Sequence, residues 1–359
     1  MKKIVCSFAI VLMASLLSLT VTAQQVLRVG VAGLNHDHVN NVMNQYKNGE
    51  VVIVGIAEPD KQLADKYKQR FNLPDSLFYK SVKDMLRHTK PDAVLAYNAI
   101  ADHLDVVEAC APKHISVMVE KPLATTVSDA NRIVELAKRY NIQVLTNYET
   151  TWYPTNQQVY QMVHAHAIGD IQKMVVHDGH QGPVEIGCSP DFLKWLTDPE
   201  KNGGGAVMDF GCYGANLMTW LMDGKMPLSV MAVTRQVKPA IYPKVDDDAT
   251  VLVDYGTSVG IIEASWNWPF GIKDMEVFGK TGYLHALNGN TLQQRDTAVY
   301  YNVPVQPYVY KDNIAYLTAV LHGDIQPGND LSSLGNNLIV VKILEAARES
   351  AKTGKRITL

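Results

Sequence analysis

Short apolar runs alternate with amphipathic segments along the first half of the chain. The apolar runs are rich in β-branched residues and cover residues 26–32, 51–57, 93–96, 116–119 and 141–145. Segments with the hydrophobic periodicity of a helix lie between these apolar runs, at residues 38–47, 61–71, 103–111 and 127–140. Continuous apolar strands that alternate with helices are typical of a parallel sheet covered on both faces. We therefore predict a doubly wound α/β domain, in which ligands lie at the carboxyl ends of the strands.

The pattern changes after about residue 148. One helical segment at 156–163 precedes strand-like segments that lack regular helical spacers, at 171–177, 229–237, 249–255, 258–265 and 275–279. Residues 255–258 have the composition of a hairpin turn, and two closing helices are expected at 311–322 and 336–351. This half is predicted to be an α+β domain with a mainly antiparallel sheet. We place the two domains at residues 24–147 and 148–359.

The first 23 residues have the features of a secretory signal peptide. Lys2 and Lys3 give a positive start, residues 4–19 form an apolar run, and Val21-Thr22-Ala23 offers a small-residue cleavage site. The apolar run is short for a membrane span. We therefore expect export through the Sec route, a periplasmic or secreted mature protein, and no stable membrane insertion after cleavage.

The charge and cysteine content of the chain limit which kinds of binding partner and metal site are expected. The chain has 359 residues, with 33 Lys and Arg against 36 Asp and Glu, and no basic block stands out. A nucleic-acid partner is therefore not expected. Four cysteines at irregular spacing give neither a disulfide framework nor a zinc motif.

The first apolar run ends in a turn that partly matches a dinucleotide-binding motif. A G-x-G-x-x-G turn would carry glycine at positions 33, 35 and 38, but the chain has Gly33, Asn35 and His38. Asn can adopt the left-handed conformation, so nucleotide binding and a plain strand–helix turn both stay open here. Glu58 ends the second run, where an acid accepts hydrogen bonds from ribose hydroxyls and repels a 2′-phosphate. This favours NAD over NADP.

His36 and His38 form a His-x-His pair in the same turn. Metal binding needs a third ligand, and the sequence places none beside them. We expect no metal here and interpret the pair as polar lining of the turn.

Two further motifs carry candidate chemistry. Glu120-Lys121-Pro122 ends a predicted strand at the ligand-binding edge, where desolvation can lower the pKa of Lys121 and suit it to acid–base work. A glycine run at 203–205 opens a helical segment in which Asp209, Tyr213 and Asn216 share one face. A polar stripe among apolar residues is costly unless it faces a site; a capped core helix is the alternative.

Taken together, these motifs resemble the Gfo/Idh/MocA oxidoreductase family. The matches are the Gly33 turn, Glu58, His103, Glu120-Lys121-Pro122 and the segment GGGAVMDFGCYGAN at 203–216, and the last helix is also similar. The resemblance implies an NAD(P)-dependent Rossmann domain, a C-terminal domain with a large open sheet, and assembly as a homodimer or homotetramer. It also implies a small carbohydrate or polyol substrate.

The resemblance assigns roles to individual residues. Lys121 matches the catalytic lysine, Asp209 the acid of the substrate pocket, and Tyr213 a position that resembles the glucose-fructose oxidoreductase branch. A tyrosine near Lys121 could have a lowered pKa and take the hydroxyl proton while hydride passes to the nicotinamide. The expected cofactor-binding residues are Gly33, Asn35, His36, His38, Glu58, Asn98, His103, Glu120 and Lys121. The expected substrate-facing residues are Trp152, Tyr153, His177, His180, Trp195 and Asn216.

Three functions fit this pattern. The first is an oxidoreductase acting on a sugar or polyol hydroxyl, with a bound cofactor that is recycled. The second is an NAD-dependent glycosidase-like enzyme that oxidises its sugar transiently. The third is a non-catalytic carbohydrate-binding relative that has lost the nucleotide.

Overall fold

The computed structural model describes residues 26–359, so the predicted signal peptide lies outside the described residues. The first domain contains the strands β1 Arg28–Ala32, β2 Val52–Ala57, β3 Phe78–Tyr79, β4 Ala93–Ala96, β5 Ser116–Glu120 and β6 Val144–Asn147, and the helices α1 Val39–Lys47, α2 Lys61–Phe71, α3 Val82–His88, α4 His103–Cys110 and α5 Val127–Tyr140. Its strands form one parallel sheet in the order β3-β2-β1-β4-β5-β6. This confirms the predicted doubly wound fold. The short elements β3 and α3 were not predicted.

The second domain is built around one large sheet. Its elements are α6 Pro154–His164, β7 Ile171–Gly179, α7 Pro190–Leu196, α8 Pro199–Asn202, α9 Ala206–Asp209, α10 Gly211–Leu221, β8 Ser229–Arg235, β9 Asp248–Asp254, β10 Val259–Ser265, β11 Ile272–Gly279, β12 Tyr283–Ala286, β13 Leu292–Arg295, β14 Tyr301–Val303, α11 Asn313–His322, α12 Leu334–Thr353 and β15 Ile357–Thr358. The sheet has the order β14-β13-β12-β11-β7-β10-β9-β8-β15. Only the β7–β10 pair among these described strands is parallel, so the sheet is mixed and mostly antiparallel, as expected.

The two faces of this sheet differ. Alternate side chains of β7, such as Met174 and Val176, are buried with α10 in one apolar core. The opposite, outer face carries exposed apolar side chains on β8, β9 and β10, namely Met231, Val233, Leu252 and Val259. The inner face therefore forms the core and the wall of any site between the domains.

Helices from the end of the chain join the two domains. In α11, Leu317 and Val320 pack into the same core as Leu27 and Val31 of the parallel sheet. Helix α12 packs on α10 and β8 of the second domain and on α5 of the first. The hydrophobic core of the first domain therefore contains residues from both sides of the predicted domain boundary at residue 147. No helix among residues 26–359 is both long and apolar enough to cross a bilayer.

Candidate active site

The turn after β1 lies at the carboxyl edge of the parallel sheet and borders a cavity. Gly33 has a φ of +81°, and a Cβ at this position would lie 2.7 Å from the Cβ of Asn98, so glycine is required. The cavity has a volume of about 430 Å³, and Asn35, Glu58 and Asn98 are among its lining residues. The side-chain oxygens of both asparagines are buried without a hydrogen-bond partner in the described structure. Such orphaned acceptors beside a glycine turn fit a bound dinucleotide.

Glu58 is held rigidly at this cavity. Its two carboxylate oxygens accept hydrogen bonds from the backbone N–H groups of Leu34 and Asp60, each at 2.8 Å. Burial raises the pKa of Glu58, although these two bonds act in the opposite direction. Lys80 and Lys83 line the same cavity. The cavity therefore offers both an acceptor for hydroxyl groups, at Glu58, and two cations.

A hydrogen-bonded network joins this turn to the end of β5. Glu120 is buried and accepts hydrogen bonds from the Nδ2 of Asn147 at 2.7 Å and, at 2.9 Å, from the Nδ1 of His38. The Nε2 of His36 lies 4.0 Å from the same carboxylate. The structure thus brings together His36, His38 and Glu120, three of the residues expected to bind the cofactor.

Glu120 is also the third candidate metal ligand that the sequence did not place. The three ligand atoms lie within 4.8 Å of one another. However, the Nδ1 of His36 accepts a hydrogen bond from the backbone N–H of His38. In a neutral ring this places the proton on Nε2, whereas a metal-bound histidine donates through the nitrogen away from the metal. The hydrogen bonding therefore favours polar lining of the nucleotide turn over a metal centre.

A buried ion pair links the two domains beside this network. The Nζ of Lys121 donates to the Oδ1 of Asp209 at 2.5 Å and to its backbone oxygen at 2.9 Å. The Nε1 of the fully buried Trp266 donates to the other carboxylate oxygen at 3.0 Å. Burial opposes both charges, but the pairing outweighs it, so the pKa of Lys121 is raised and the pKa of Asp209 is lowered. The prediction of a lowered lysine pKa was therefore wrong, because Asp209 compensates the desolvation.

Tyr213 lies next to this pair. Its ring centroid is 5.0 Å from the Nζ of Lys121 and 4.3 Å from the Nζ of Lys273. Burial nevertheless raises the pKa of the Tyr213 hydroxyl well above its usual range, and the carboxylates of Glu149 and Asp178 add to the shift. The prediction of a lowered tyrosine pKa was wrong as well, because burial and the nearby carboxylates keep this phenol protonated.

The predicted polar stripe divides into two parts. Phe210 interrupts the helix, so Asp209 ends α9 whereas Tyr213 belongs to α10. The Nδ2 of the buried Asn216 donates to the backbone oxygen of Leu331 at 2.8 Å, before α12. Asn216 therefore fixes α10 in the core and does not reach Lys121.

Two of the other predicted substrate residues lie near the ion pair. The ring of His180 packs edge-on against Phe210. Burial lowers the pKa of His180; the charge of Asp209 opposes this shift, and the charge of Lys121 adds to it. Tyr153 donates to Glu149 at 2.6 Å and lines a small pocket together with Tyr213.

Three predicted residues lie elsewhere. Trp152 donates to Asn147 and packs on α11. Trp195 of α7 donates to the backbone oxygen of Asn35 at 3.0 Å and packs against His36, so it covers the nucleotide turn. His177 faces the outer side of the sheet, where it binds Asp274 at 2.6 Å.

His103 is fully buried at the start of α4. Its Nδ1 lies 3.2 Å from the backbone oxygen of Leu123, and its Nε2 is buried with no hydrogen-bond partner in residues 26–359. Burial lowers the pKa of His103 to about 4, so the ring is neutral at physiological pH. It supports the segment after Lys121, and His103 itself is not among the described residues that line the cavity.

The sequence reasoning missed several residues of the site. Asp246 builds the glycine turn before Asp209, because its carboxylate accepts from the backbone N–H groups of Gly205 and Val207. A Cβ at Gly205 would lie 1.7 Å from the backbone oxygen of Asp246, which explains that glycine. Trp266, Asp178 and Lys273 also lie at the site, although no motif marks them.

The fold and this site define a nucleotide-dependent oxidoreductase. Two family models match the chain: "Oxidoreductase family, NAD-binding Rossmann fold" over residues 25–148, and "GFO/IDH/MocA C-terminal domain" over residues 156–285. The chain belongs to the Gfo/Idh/MocA family.

Named relatives show the range of this family. The chain is 26% identical over 180 residues to a trans-1,2-dihydrobenzene-1,2-diol dehydrogenase of Xenopus tropicalis, covering 50% of this chain and 51% of that protein. It is 25% identical over 213 residues to a D-xylose 1-dehydrogenase [NADP(+)] of Haloarcula marismortui, covering 59% and 58%. The chain thus matches little more than half the length of these two relatives. An aldose-aldose oxidoreductase from Caulobacter crescentus, solved with glycerol, has a TM-score of 0.78 at 18% identity, over 93% of this chain and 99% of that one.

Proposed function

We propose that the protein is an NAD-dependent oxidoreductase that transfers hydride between a sugar or polyol hydroxyl carbon and the nicotinamide. The observation that carries this proposal is the buried Lys121–Asp209 pair, which lies with Tyr213 at the same sheet edge as the nucleotide cavity. The named sugar and diol dehydrogenases among its relatives support the substrate class. The bound cofactor supplies the hydride acceptor, and the protein supplies binding, orientation and proton transfer.

The ion pair provides a route for the hydroxyl proton. Lys121 is an ammonium group in the structure, so it can take a substrate proton only when it gives up one of its own. The Oδ1 of Asp209, 2.5 Å away, is placed to receive that proton. In the reverse direction the ammonium group of Lys121 or the phenol of Tyr213 donates to the forming alkoxide. The Nε1–H of Trp266 keeps the Asp209 carboxylate oriented throughout.

The preference for NAD rests on Glu58. Its carboxylate is fixed by two backbone N–H groups at the cavity and repels a 2′-phosphate, whereas Lys80 and Lys83 would attract one. We expect the wild-type protein to bind NAD+ more tightly than NADP+, measured by calorimetric titration. Glu58→Gln should reduce this preference, and equal or tighter binding of NADP+ by the wild type would overturn the assignment.

The catalytic assignment is tested with Lys121→Met. The purified protein is denatured to measure bound nucleotide, and NADH formation is followed at 340 nm with a panel of aldoses and polyols. Lys121→Met should abolish turnover, while the control Lys61→Met, at an exposed surface position, should leave it unchanged. Full activity of Lys121→Met would refute the role of this lysine.

Two further measurements, glycoside cleavage and sugar binding, separate the two other functions. Bond cleavage of glycosides without net NADH would indicate the glycosidase-like enzyme. A protein that binds sugar, but neither retains nor binds a nucleotide, would be the carbohydrate-binding relative.

We further propose that the mature protein is exported and forms a homodimer or homotetramer through the outer face of its large sheet. The predicted signal peptide supports export, and the exposed apolar side chains of Met231, Val233, Leu252 and Val259 support pairing. Cell fractionation tests the location. Light scattering of the wild type and Leu252→Lys tests the assembly: the wild type should be oligomeric and the variant monomeric.

A further inference from the structure

Another cavity is lined by residues of α6, α10 and α11 and by the segments that precede α11 and α12. It has a volume of about 190 Å³, and none of its described lining residues borders the nucleotide cavity or the small pocket beside Tyr213. Trp220, in its wall, lies two helical turns beyond Tyr213 along α10, which is about 10 Å. Gln157 and Tyr308 of the wall are partly exposed and Asn329 is exposed. The cavity therefore opens to solvent and is separate from the proposed active site.

Aromatic side chains line this cavity, namely Tyr160, Trp220, Tyr308 and Tyr316. Tyr160 and Trp220 stack almost parallel, with ring centroids 4.2 Å apart, and Tyr316 packs edge-on against Tyr310. No lysine, arginine or histidine is among the described residues of the wall. Aromatic rings attract cations through the negative charge of their faces. The wall thus offers rings held in place by packing and no cation of its own.

Asp330 adds a carboxylate to the wall. Its Oδ2 accepts a hydrogen bond from the hydroxyl of Tyr316 at 2.7 Å, and its Oδ1 accepts one from the backbone N–H of Ser332 at 2.9 Å. Burial raises the pKa of Asp330; these hydrogen bonds act against the shift, and no positive charge within residues 26–359 contributes to it. A mostly buried carboxylate without a counter-charge is costly, and a cation in the cavity would compensate it.

The hydroxyl of Thr151 is an unsatisfied group in the same wall. Thr151 is 3% exposed, and its Oγ1 is buried with no hydrogen-bond partner in the part of the chain that the structure describes. Gln157 beside it uses its Nε2 to donate to the backbone oxygen of Thr151 at 3.2 Å. A buried hydroxyl group without a partner needs an explanation, and a polar ligand in the cavity supplies one.

We propose that this cavity binds a small organic ammonium ion, whose charge pairs with Asp330 while its carbon atoms lie against Trp220 and Tyr308. Thr151 forms a hydrogen bond with a hydroxyl or amino group of the same ligand. Aromatic rings around an alkylammonium group are a recurrent way of binding such ions. The cavity is smaller than the roughly 300–1,000 Å³ of sites for drug-sized molecules, so the ligand has the size of choline or ethanolamine. This site does not depend on the proposed redox chemistry.

The probes are choline and ethanolamine, and the control ligand is 3,3-dimethylbutan-1-ol, which has the shape of choline without its charge. Binding to the purified protein is measured by isothermal titration calorimetry and by tryptophan fluorescence, with and without NAD+. We expect choline to bind at least about 10-fold more tightly than the neutral alcohol. NAD+ should leave this affinity unchanged, because the nucleotide cavity has a separate wall.

Three variants locate the binding. Asp330→Asn removes the charge and Tyr308→Leu removes a ring, and each should weaken choline binding at least about 5-fold. Thr151→Val should weaken it about 3-fold, as for one neutral hydrogen bond. Since the Thr151 hydroxyl has no partner among residues 26–359, this variant breaks no described hydrogen bond. The control Tyr301→Leu removes an exposed tyrosine of β14 and should leave binding unchanged.

The outcomes decide the proposal. Equal affinity for choline and the neutral alcohol refutes it, because the charge would then play no part. Choline binding that survives in the variants with wild-type affinity also refutes it, because the ion would then bind elsewhere. A wild type that binds neither choline nor ethanolamine at millimolar concentrations refutes it as well. If Asp330→Asn does not fold, Tyr308→Leu and Thr151→Val decide, and none of these results depends on sugar oxidation.

Discussion

Replacing Asp178 with asparagine should stabilise the protein at neutral and alkaline pH. Burial raises the pKa of Asp178 from 3.8 to about 7. The positive charges of Lys273 and Lys121 act against this shift, whereas the carboxylates of Asp209 and Glu149 add to it. The fold therefore holds this carboxyl group in surroundings that favour its neutral form.

The sign and size of the effect follow from proton linkage. The folded state retains a proton that the unfolded chain loses near pH 4, so the free energy of unfolding falls as the pH rises from 4 to 7. A difference of about three pKa units corresponds to about 4 kcal/mol. Asparagine has nearly the shape of a protonated aspartate and carries no charge. Asp178→Asn should therefore gain up to about 4 kcal/mol at pH 8, and much less at pH 5.

The assay is the unfolding midpoint in urea at several pH values between 5 and 8, for the wild type and Asp178→Asn. The control variant is Glu276→Gln, which removes a carboxylate on the outer face of β11. The stability difference between Asp178→Asn and the wild type should widen as the pH rises, and Glu276→Gln should show no such gain. An Asp178→Asn variant that is less stable than the wild type at pH 8 would refute the reasoning. It would mean that Lys273 stabilises the charged carboxylate more than burial penalises it.

Three further predictions concern the buried pair and the turn before it. Lys121→Met leaves the carboxylate of Asp209 buried without its cation, so we expect a loss of about 3–5 kcal/mol in urea unfolding, besides the loss of turnover. Trp266→Phe removes a hydrogen bond to that carboxylate, which should raise the pKa of Asp209. The acidic limb of the pH–rate profile should then shift to higher pH, and kcat should fall about 10- to 100-fold. An unchanged pH–rate profile would contradict this role of Trp266. Gly205→Ala places a Cβ 1.7 Å from a backbone oxygen and should prevent soluble expression, whereas Gly271→Ala, with nothing within 4 Å, should express normally.

The sequence pattern predicted the elements that are long and continuously apolar. Strand β2 and helix α5 were predicted within one residue of their observed bounds, because burial on both faces or on one helical face leaves a strong periodic signal. Strand β3 has only two residues, Phe78 and Tyr79, which is too short to leave one.

Site residues were predictable where a motif holds them close together. Lys121 and Asp209 belong to such motifs and lie in contact in the structure. Asp178 and Lys273 are single polar residues in separate strands, and only the register of the sheet pairs them. His177 was predicted in place of Asp178 because the sequence alone does not show which alternate residues of β7 face inward.

The return of α11 to the parallel sheet affects how the chain folds. Its Leu317 and Val320 complete the same apolar core as Leu27 and Val31, nearly three hundred positions earlier. The nucleotide-binding half therefore lacks part of its core until almost the whole polypeptide has been synthesised. Contacts across so long a loop form late and slow the search for the native state. The first domain should consequently expose apolar surface during synthesis, and a fragment that ends near residue 147 should aggregate when expressed alone.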